Sequence, residues 1–178
     1  MDSKTMASAT TDAKDGKTAL VIGRFQPFHS GHLEAVEGIL KRHSRLLLAI
    51  GSAQESRTPK NPFSSKERKG MIAACLKKRG ILPRIKIILL DDENHHERWV
   101  RGVLQIAKDA DVVYSGNWLV QRLLGGRYAV HTMKSSVKIS ASQIRELMKK
   151  GDEKWQRFVP KEISEYILTK GLEKIWPF

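Results

Sequence analysis

Thr18-Ala19-Leu20-Val21-Ile22-Gly23-Arg24-Phe25-Gln26-Pro27-Phe28-His29-Ser30-Gly31-His32 passes from an apolar run of strand length, through a loop rich in glycine, arginine and histidine, into a helical pattern. The strand reads Thr18 to Ile22 and stops at Gly23, and the helix runs from about His32 to Arg42 with Leu33, Val36, Ile39 and Leu40 on one face. A strand that is apolar throughout, followed at once by an amphipathic helix, is the start of a parallel crossover unit whose sheet is covered on both faces.

The same alternation continues along the chain. Arg45 to Ile50 is a second strand ending in glycine, and Ser52 to Phe63 is a loop with two prolines. Ser64 and Glu67 stand at capping-box spacing before a helix that buries Met71, Ile72, Cys75 and Leu76. Ile85 to Leu90 is the third strand, and the polar run Asp91 to Glu97 leads into a helix with Val100, Val103, Leu104 and Ala107. Asp111 to Tyr114 is the fourth; Ser115-Gly116-Asn117 then opens a short helix through Leu119, Leu123 and Leu124, and Tyr128 to Met133 is the fifth. Ser140 or Ser142 caps a helix carrying Ile144, Leu147 and Met148, and Pro160 begins a last helix through Ile163, Ile167 and Leu168 to Gly171. The pattern predicts an α/β protein: a doubly wound parallel sheet of about five strands, helices on both faces, and helices at the C-terminus.

Composition bounds what this sheet serves. A chain of 178 residues, 40% hydrophobic and 29% charged, fits one globular domain, assigned to residues 17–178. Met1 to Gly16 has no apolar periodicity and reads as a flexible tail or a remnant of cloning. It lacks the apolar region of a secretory signal, and no apolar run approaches the length of a membrane span, so a cytoplasmic protein is expected. Cys75 is the only cysteine, which excludes an intrachain disulfide.

The formal net charge of +13 says that anions are drawn to the surface. Basic clusters at Lys41 to Arg45, Ser65 to Lys69 and Lys77 to Arg79 read as solvated helix faces. Aromatic residues are not interleaved with them, which argues against single-strand nucleic-acid binding. A basic nucleic-acid module stays open as the rival class, marked by steep salt dependence.

In open parallel sheets ligands bind beyond the carboxyl ends of the strands. The loops Gly23 to His32, Gly51 to Phe63, Asp91 to Trp99, Ser115 to Trp118 and Lys134 to Ser142 all follow predicted strands and are expected to share one crevice. The first of them suits phosphate. A helix mouth presents unpaired N–H groups and the positive end of the dipole; His29 and His32, three apart, put both rings on one side; and Arg24 adds a fixed charge. Gly31 would let a nucleotide approach the backbone closely. Zinc suits the pair poorly, since Glu34 is the only other close ligand candidate.

The segment resembles the H-x-G-H signature of the nucleotidylyltransferase superfamily, and the longer string Gly23 to His32 is similar to the archaeal type of nicotinamide-nucleotide adenylyltransferase. Ser52-Ala53-Gln54-Glu55-Ser56, Asn61-Pro62-Phe63, Trp99 and Ser115-Gly116-Asn117 resemble further blocks of that family in the same order, so the likeness covers residues 18 to about 150. H-x-G-H alone marks only the superfamily; the ordered set is more specific. Ile139-Ser140-Ala141-Ser142-Gln143-Ile144-Arg145 stands where the family has its second signature, but with Ala141 and Ser142 in place of Gly and Thr. An alanine takes left-handed backbone angles less easily, so the turn is expected to differ there.

The resemblance implies a Rossmann-like fold, transfer of AMP from ATP to nicotinamide mononucleotide to give NAD and pyrophosphate, and a homo-oligomer, often a hexamer. It implies that His29, His32, Arg24 and Arg145 act on the phosphates, and that Gly23, Phe25, Gly31, Gly51, Asn117, Ile139, Ser140 and Ser142 bind ATP. Ser52, Asn94 and Trp99 would bind the acceptor, with Trp99 stacked on its ring. The metal would be Mg²⁺ carried by substrate phosphates, with no dedicated protein ligands. Within the same chemistry, flavin mononucleotide, a phosphopantetheine or a CTP-linked substrate are the alternatives.

Overall fold

The computed structural model describes residues 15–92 and 96–171, the side chains of His96 and Glu97 excepted. Most of the expected tail, and Asn94 and His95, lie outside the described residues. Strands β1 (Thr18–Gly23), β2 (Arg45–Ile50), β3 (Ile85–Leu89), β4 (Val112–Tyr114) and β5 (Ala129–His131) form one sheet in the order β3-β2-β1-β4-β5, every pair parallel. Helices α1 (Ser30–Arg42), α2 (Ser65–Lys78), α3 (His96–Ala107), α4 (Trp118–Leu124), α5 (Ala141–Lys149) and α6 (Lys161–Lys170) complete the fold. The strand order reverses between β1 and β4, and the crevice beyond the carboxyl ends of those strands is where such sheets bind ligands.

Each strand reads as a continuous apolar run because both of its faces are covered. Ala19 and Val21 of β1 join Leu46, Leu48 and Ile50 of β2 in a core closed by α1, α2, α5 and α6. Leu20 and Ile22, pointing the other way, join Leu47, Ala49 and Val113 under Val103 and Ala107 of α3 and Val120 and Leu124 of α4. β1 pairs with β2 over its full length, from Thr18 opposite Arg45 to Gly23 opposite Ile50, which brings the loops after both strands side by side.

Several expectations are corrected. α1 starts at Ser30 because His29 takes the cap position. β3 ends at Leu89, β4 begins at Val112, and β5 is confined to Ala129–His131. α4 buries the expected Leu124 together with Val120, while Leu119 and Leu123 are only half-buried; the pairs 119/123 and 120/124 share the i, i+4 spacing, so periodicity could not separate them. Leu168 is 53% exposed. The 3-10 turns Leu82–Arg84 and Glu153–Phe158 have no apolar period of their own, yet the second buries Trp155 in the first core.

Two basic clusters are not wholly solvated. His43 is buried, its Nε2 2.9 Å from the Tyr114 hydroxyl and its Nδ1 2.9 Å from a carboxylate oxygen of Asp15, so the last residues before β1 are tied to the end of α1. Arg68 is 0% exposed, whereas Lys77 to Arg79 are exposed as expected.

Candidate active site

The loop after β1 is held by side chains from distant elements. Gln26 is buried and pairs with Phe63 like a strand neighbour: its Nε2 donates to the Phe63 carbonyl (2.8 Å) and its Oε1 accepts the Phe63 N–H (3.0 Å). Arg145, on α5, donates from Nη1 to the Gln26 carbonyl at 2.8 Å and from Nη2 to the Ser142 hydroxyl at 3.0 Å. Phe25 has φ +53°, a conformation rarely taken without a compensating environment, and its ring packs on Phe28 and edge-on to His32.

His29 and His32 cap α1 reciprocally. The His29 N–H donates to His32 Nδ1 (3.2 Å) and the His32 N–H to His29 Nδ1 (3.4 Å), with the rings stacked 3.6 Å apart. A backbone N–H can only donate, so both Nδ1 atoms are unprotonated and each neutral ring carries its hydrogen on Nε2. Burial pushes the His29 pKa down to about 4, and burial together with the neighbouring His29 charge holds His32 well below the ordinary imidazole value. At neutral pH both rings are therefore uncharged, each with its hydrogen on Nε2.

Gly23, Arg24, His32, Gly51, Ser52, Trp99 and Asn117 line one cleft of about 500 Å³ over the β1/β4 switch point. Leu90, Asp92, Trp118 and Met133 complete its walls. Ser52 has φ +49°; its hydroxyl donates to the Asp92 carboxylate, and Gln54 locks both backbone groups of Asp92. Asn117 caps α4 through its side-chain oxygen (2.9 Å to the Leu119 N–H).

The other expected residues sit outside that cavity. Phe25 and His29 are buried beneath it. Gly31 is buried too, and a Cβ there would lie 3.2 Å from the His29 ring and 3.0 Å from Ser135 Oγ, so its smallness serves the packing of the imidazole pair rather than an open approach for nucleotide. Ile139 packs against the first core, and Ser140 closes a capping box with Gln143 at the start of α5. Ala141 is the first residue of that helix and is not among the left-handed residues, so the turn makes no demand there that glycine alone could meet. Arg145 joins the site through Gln26 and through Arg24: after burial, the nearby Arg24 charge is what lowers its pKa. An anion brought near both guanidiniums would relieve that repulsion. Glu34, the third ligand of the zinc alternative, spends its carboxylate on Ser135 and Ser136.

Three contributors escape a reading by motif. Arg68 falls on the stripe of Ile72, Cys75 and Leu76 at i, i+4, i+7 and i+8, so its inward direction was there to be found in the helical period. Asp92 sits in a polar run with no distinguishing spacing. Trp118, 66% exposed on the cleft wall, reads in sequence as one more apolar residue at a helix start.

Comparison with known proteins agrees with this geometry. A family model described as cytidylyltransferase-like matches residues 20–147. A nicotinamide-nucleotide adenylyltransferase of Thermococcus onnurineus is 39% identical over 163 residues, covering 89% of this chain and 87% of that protein. One from Sulfolobus acidocaldarius is 38% identical over 88% of this chain and 93% of the relative. Among solved structures, a bifunctional NMN adenylyltransferase/ADP ribose pyrophosphatase of Francisella tularensis, complexed with AMP and a manganese ion, superposes with a TM-score of 0.70 at 24% identity. That match covers 86% of this chain but 49% of the bifunctional protein, and at this identity it speaks for the fold alone.

Proposed function

The chain belongs to the cytidylyltransferase-like family and, within it, to the archaeal-type nicotinamide-nucleotide adenylyltransferases, and from that premise we propose how its residues act. The protein is an adenylyltransferase of NAD biosynthesis: the phosphate of nicotinamide mononucleotide attacks the α-phosphorus of ATP, a new P–O bond forms, the bond to the β-phosphate breaks, and pyrophosphate leaves. The attacking phosphate is already a nucleophile at neutral pH, so the protein supplies alignment and charge stabilisation.

His32 and His29 donate from Nε2 to the transferring phosphoryl group, Arg24 meets its charge from the cleft wall, and Arg145, beside Arg24, faces the leaving pyrophosphate. Gly23, Gly51 and Asn117 border the ATP, while Ser52, Trp99 and the Asp92 wall border the acceptor, with Trp99 stacking on its ring. Among the described residues no three His, Cys, Asp or Glu side chains gather as a metal cage, and the Asp92 carboxylate is already engaged by Ser52. That donor set fits a divalent ion such as Mg²⁺ carried by substrate phosphates and water, where it would screen the phosphate charges.

The observation that carries this assignment is the reciprocal histidine cap, which leaves two neutral Nε2–H donors at a helix mouth beside paired guanidiniums. The test is incubation with ATP, Mg²⁺ and, in separate reactions, nicotinamide mononucleotide, its nicotinic acid analogue, flavin mononucleotide and phosphopantetheine. Formation of NAD with equimolar pyrophosphate is expected. Turnover of only a flavin or pantetheine acceptor, or none with any of them, would overturn it.

A further inference from the structure

We infer that Arg68 is a positioning residue of the transfer reaction: from within α2 its guanidinium fixes the separation of the two loops that carry the reacting nucleotides. The inference rests on the adenylyltransferase reading above. Arg68 is 0% exposed, and among the described residues its hydrogen bonds all go to main-chain carbonyls. Nη1 donates to Arg24 O at 2.8 Å and to Gly51 O at 2.7 Å, and Nη2 donates to Ser52 O at 2.8 Å. Nε reaches back to Ser64 O, at the cap of its own helix, at 3.4 Å.

The carbonyls of Arg24, Gly51 and Ser52 belong to the loop after β1 and to the start of the loop after β2, so the clasp joins the residues assigned to ATP to Ser52 on the acceptor side; all three line the cleft. The clasped peptides also adjoin the two left-handed residues of the site. Arg24 O belongs to the peptide leading into Phe25 (φ +53°), and Ser52 itself has φ +49°. Turns of that kind aim carbonyls inward, where water cannot satisfy them, and a rigid planar fork of five donors can hold several of them at fixed separations, which a rotating ammonium does not.

Placing a guanidinium there has a cost. Burial lowers its pKa to about 10, Asp92 opposing the shift and Arg24 adding to it. A structural arginine in a core is ordinarily matched by a carboxylate held against it. Arg68 instead spends its donors on the cleft's own backbone. In-line displacement requires the attacking oxygen within roughly 3–3.5 Å of phosphorus, and a misplacement of about 1 Å is enough to lose about a hundredfold in rate. A clamp spanning both loops acts on that coordinate.

The test compares the wild type with Arg68→Lys and Arg68→Ala in steady-state turnover and in calorimetric titration with ATP. NAD formation by the wild type secures the reading beneath; its absence would overturn that reading and the clamp with it, whereas with an active wild type the variants alone decide the clamp. With an active wild type, Arg68→Lys should lose on the order of a hundredfold in kcat while KM for either substrate changes little and one ATP still binds per chain. Added guanidinium ion should restore turnover to Arg68→Ala in a saturable way. Wild-type kcat in Arg68→Lys, a fall in binding stoichiometry that parallels the fall in kcat, or unfolded circular dichroism spectra for both variants would each overturn the proposal.

Discussion

At the scale of single residues the site is governed by where two protons sit. The reciprocal cap of α1 engages both Nδ1 atoms, so each ring keeps its hydrogen on Nε2; His32 lines the cleft and His29 is buried beneath it. Replacing His32 by alanine is expected to lower kcat by roughly 10²–10³, the usual effect of removing one preorganised donor, while ATP affinity changes much less. Binding and turnover measured on the same preparation check this, and equal losses in both would contradict a role confined to the transition state.

The same burial has a thermodynamic counterpart. His29 titrates near pH 4 in the folded chain, against an ordinary value of 6.5, so as pH falls the unfolded chain takes up its proton first. The stability is present in full above about pH 6.5 and is lost progressively down to about pH 4, a drop on the order of 3 kcal/mol for a group this buried. Urea midpoints at pH 7.5 and pH 4.5 should diverge strongly in the ligand-free wild type. They should diverge less in His29→Asn, which keeps an acceptor for the His32 N–H but cannot be protonated.

At the scale of elements, α2 shows what a sequence discloses and what it withholds. Its start was legible: Ser64 and Glu67 form the expected capping box, and Glu67 also pairs bidentately with Arg57 at 2.7 and 2.8 Å. Ser64→Ala should cost about 1 kcal/mol, read as a lower melting temperature with little change in KM. The inward turn of Arg68 was hidden because a charged residue in a basic run is assigned to solvent by default, although its spacing from Ile72 and Cys75 said otherwise. Strand bounds for β2 were readable to the residue because Arg45 and Gly51 bracket an unbroken apolar run. The Arg145 contact with Gln26 was not, since it depends on how α5 returns across the sheet. Trp155 lay in a segment with neither period, and its burial is a product of the tertiary packing around it.

At the scale of the whole molecule, two cores cover the two faces of one sheet, and Cys75 reports on whether they open together. That thiol is buried in the first core and burial pushes its pKa up to about 12, so almost none of it is thiolate at neutral pH. It should resist a water-soluble disulfide reagent in the native protein and react at the rate of global opening as urea is raised. Rapid labelling without denaturant would show that α2 opens separately from the sheet, which the Arg68 clasp opposes.

The central place of β1 bears on the order in which the chain is made. Its first neighbour, β2, follows closely, but β4 arrives only with Val112, and the Arg145 contact that completes the phosphate loop spans 119 residues. At a translation rate of about 5–20 residues per second, Gln26 leaves the ribosome on the order of ten seconds before its partner. Until Val112 emerges the flank of β1 destined for β4 is an open edge of apolar strand, so a chain stalled before that point should bind chaperones, and one stalled before α5 should fail to retain nucleotide.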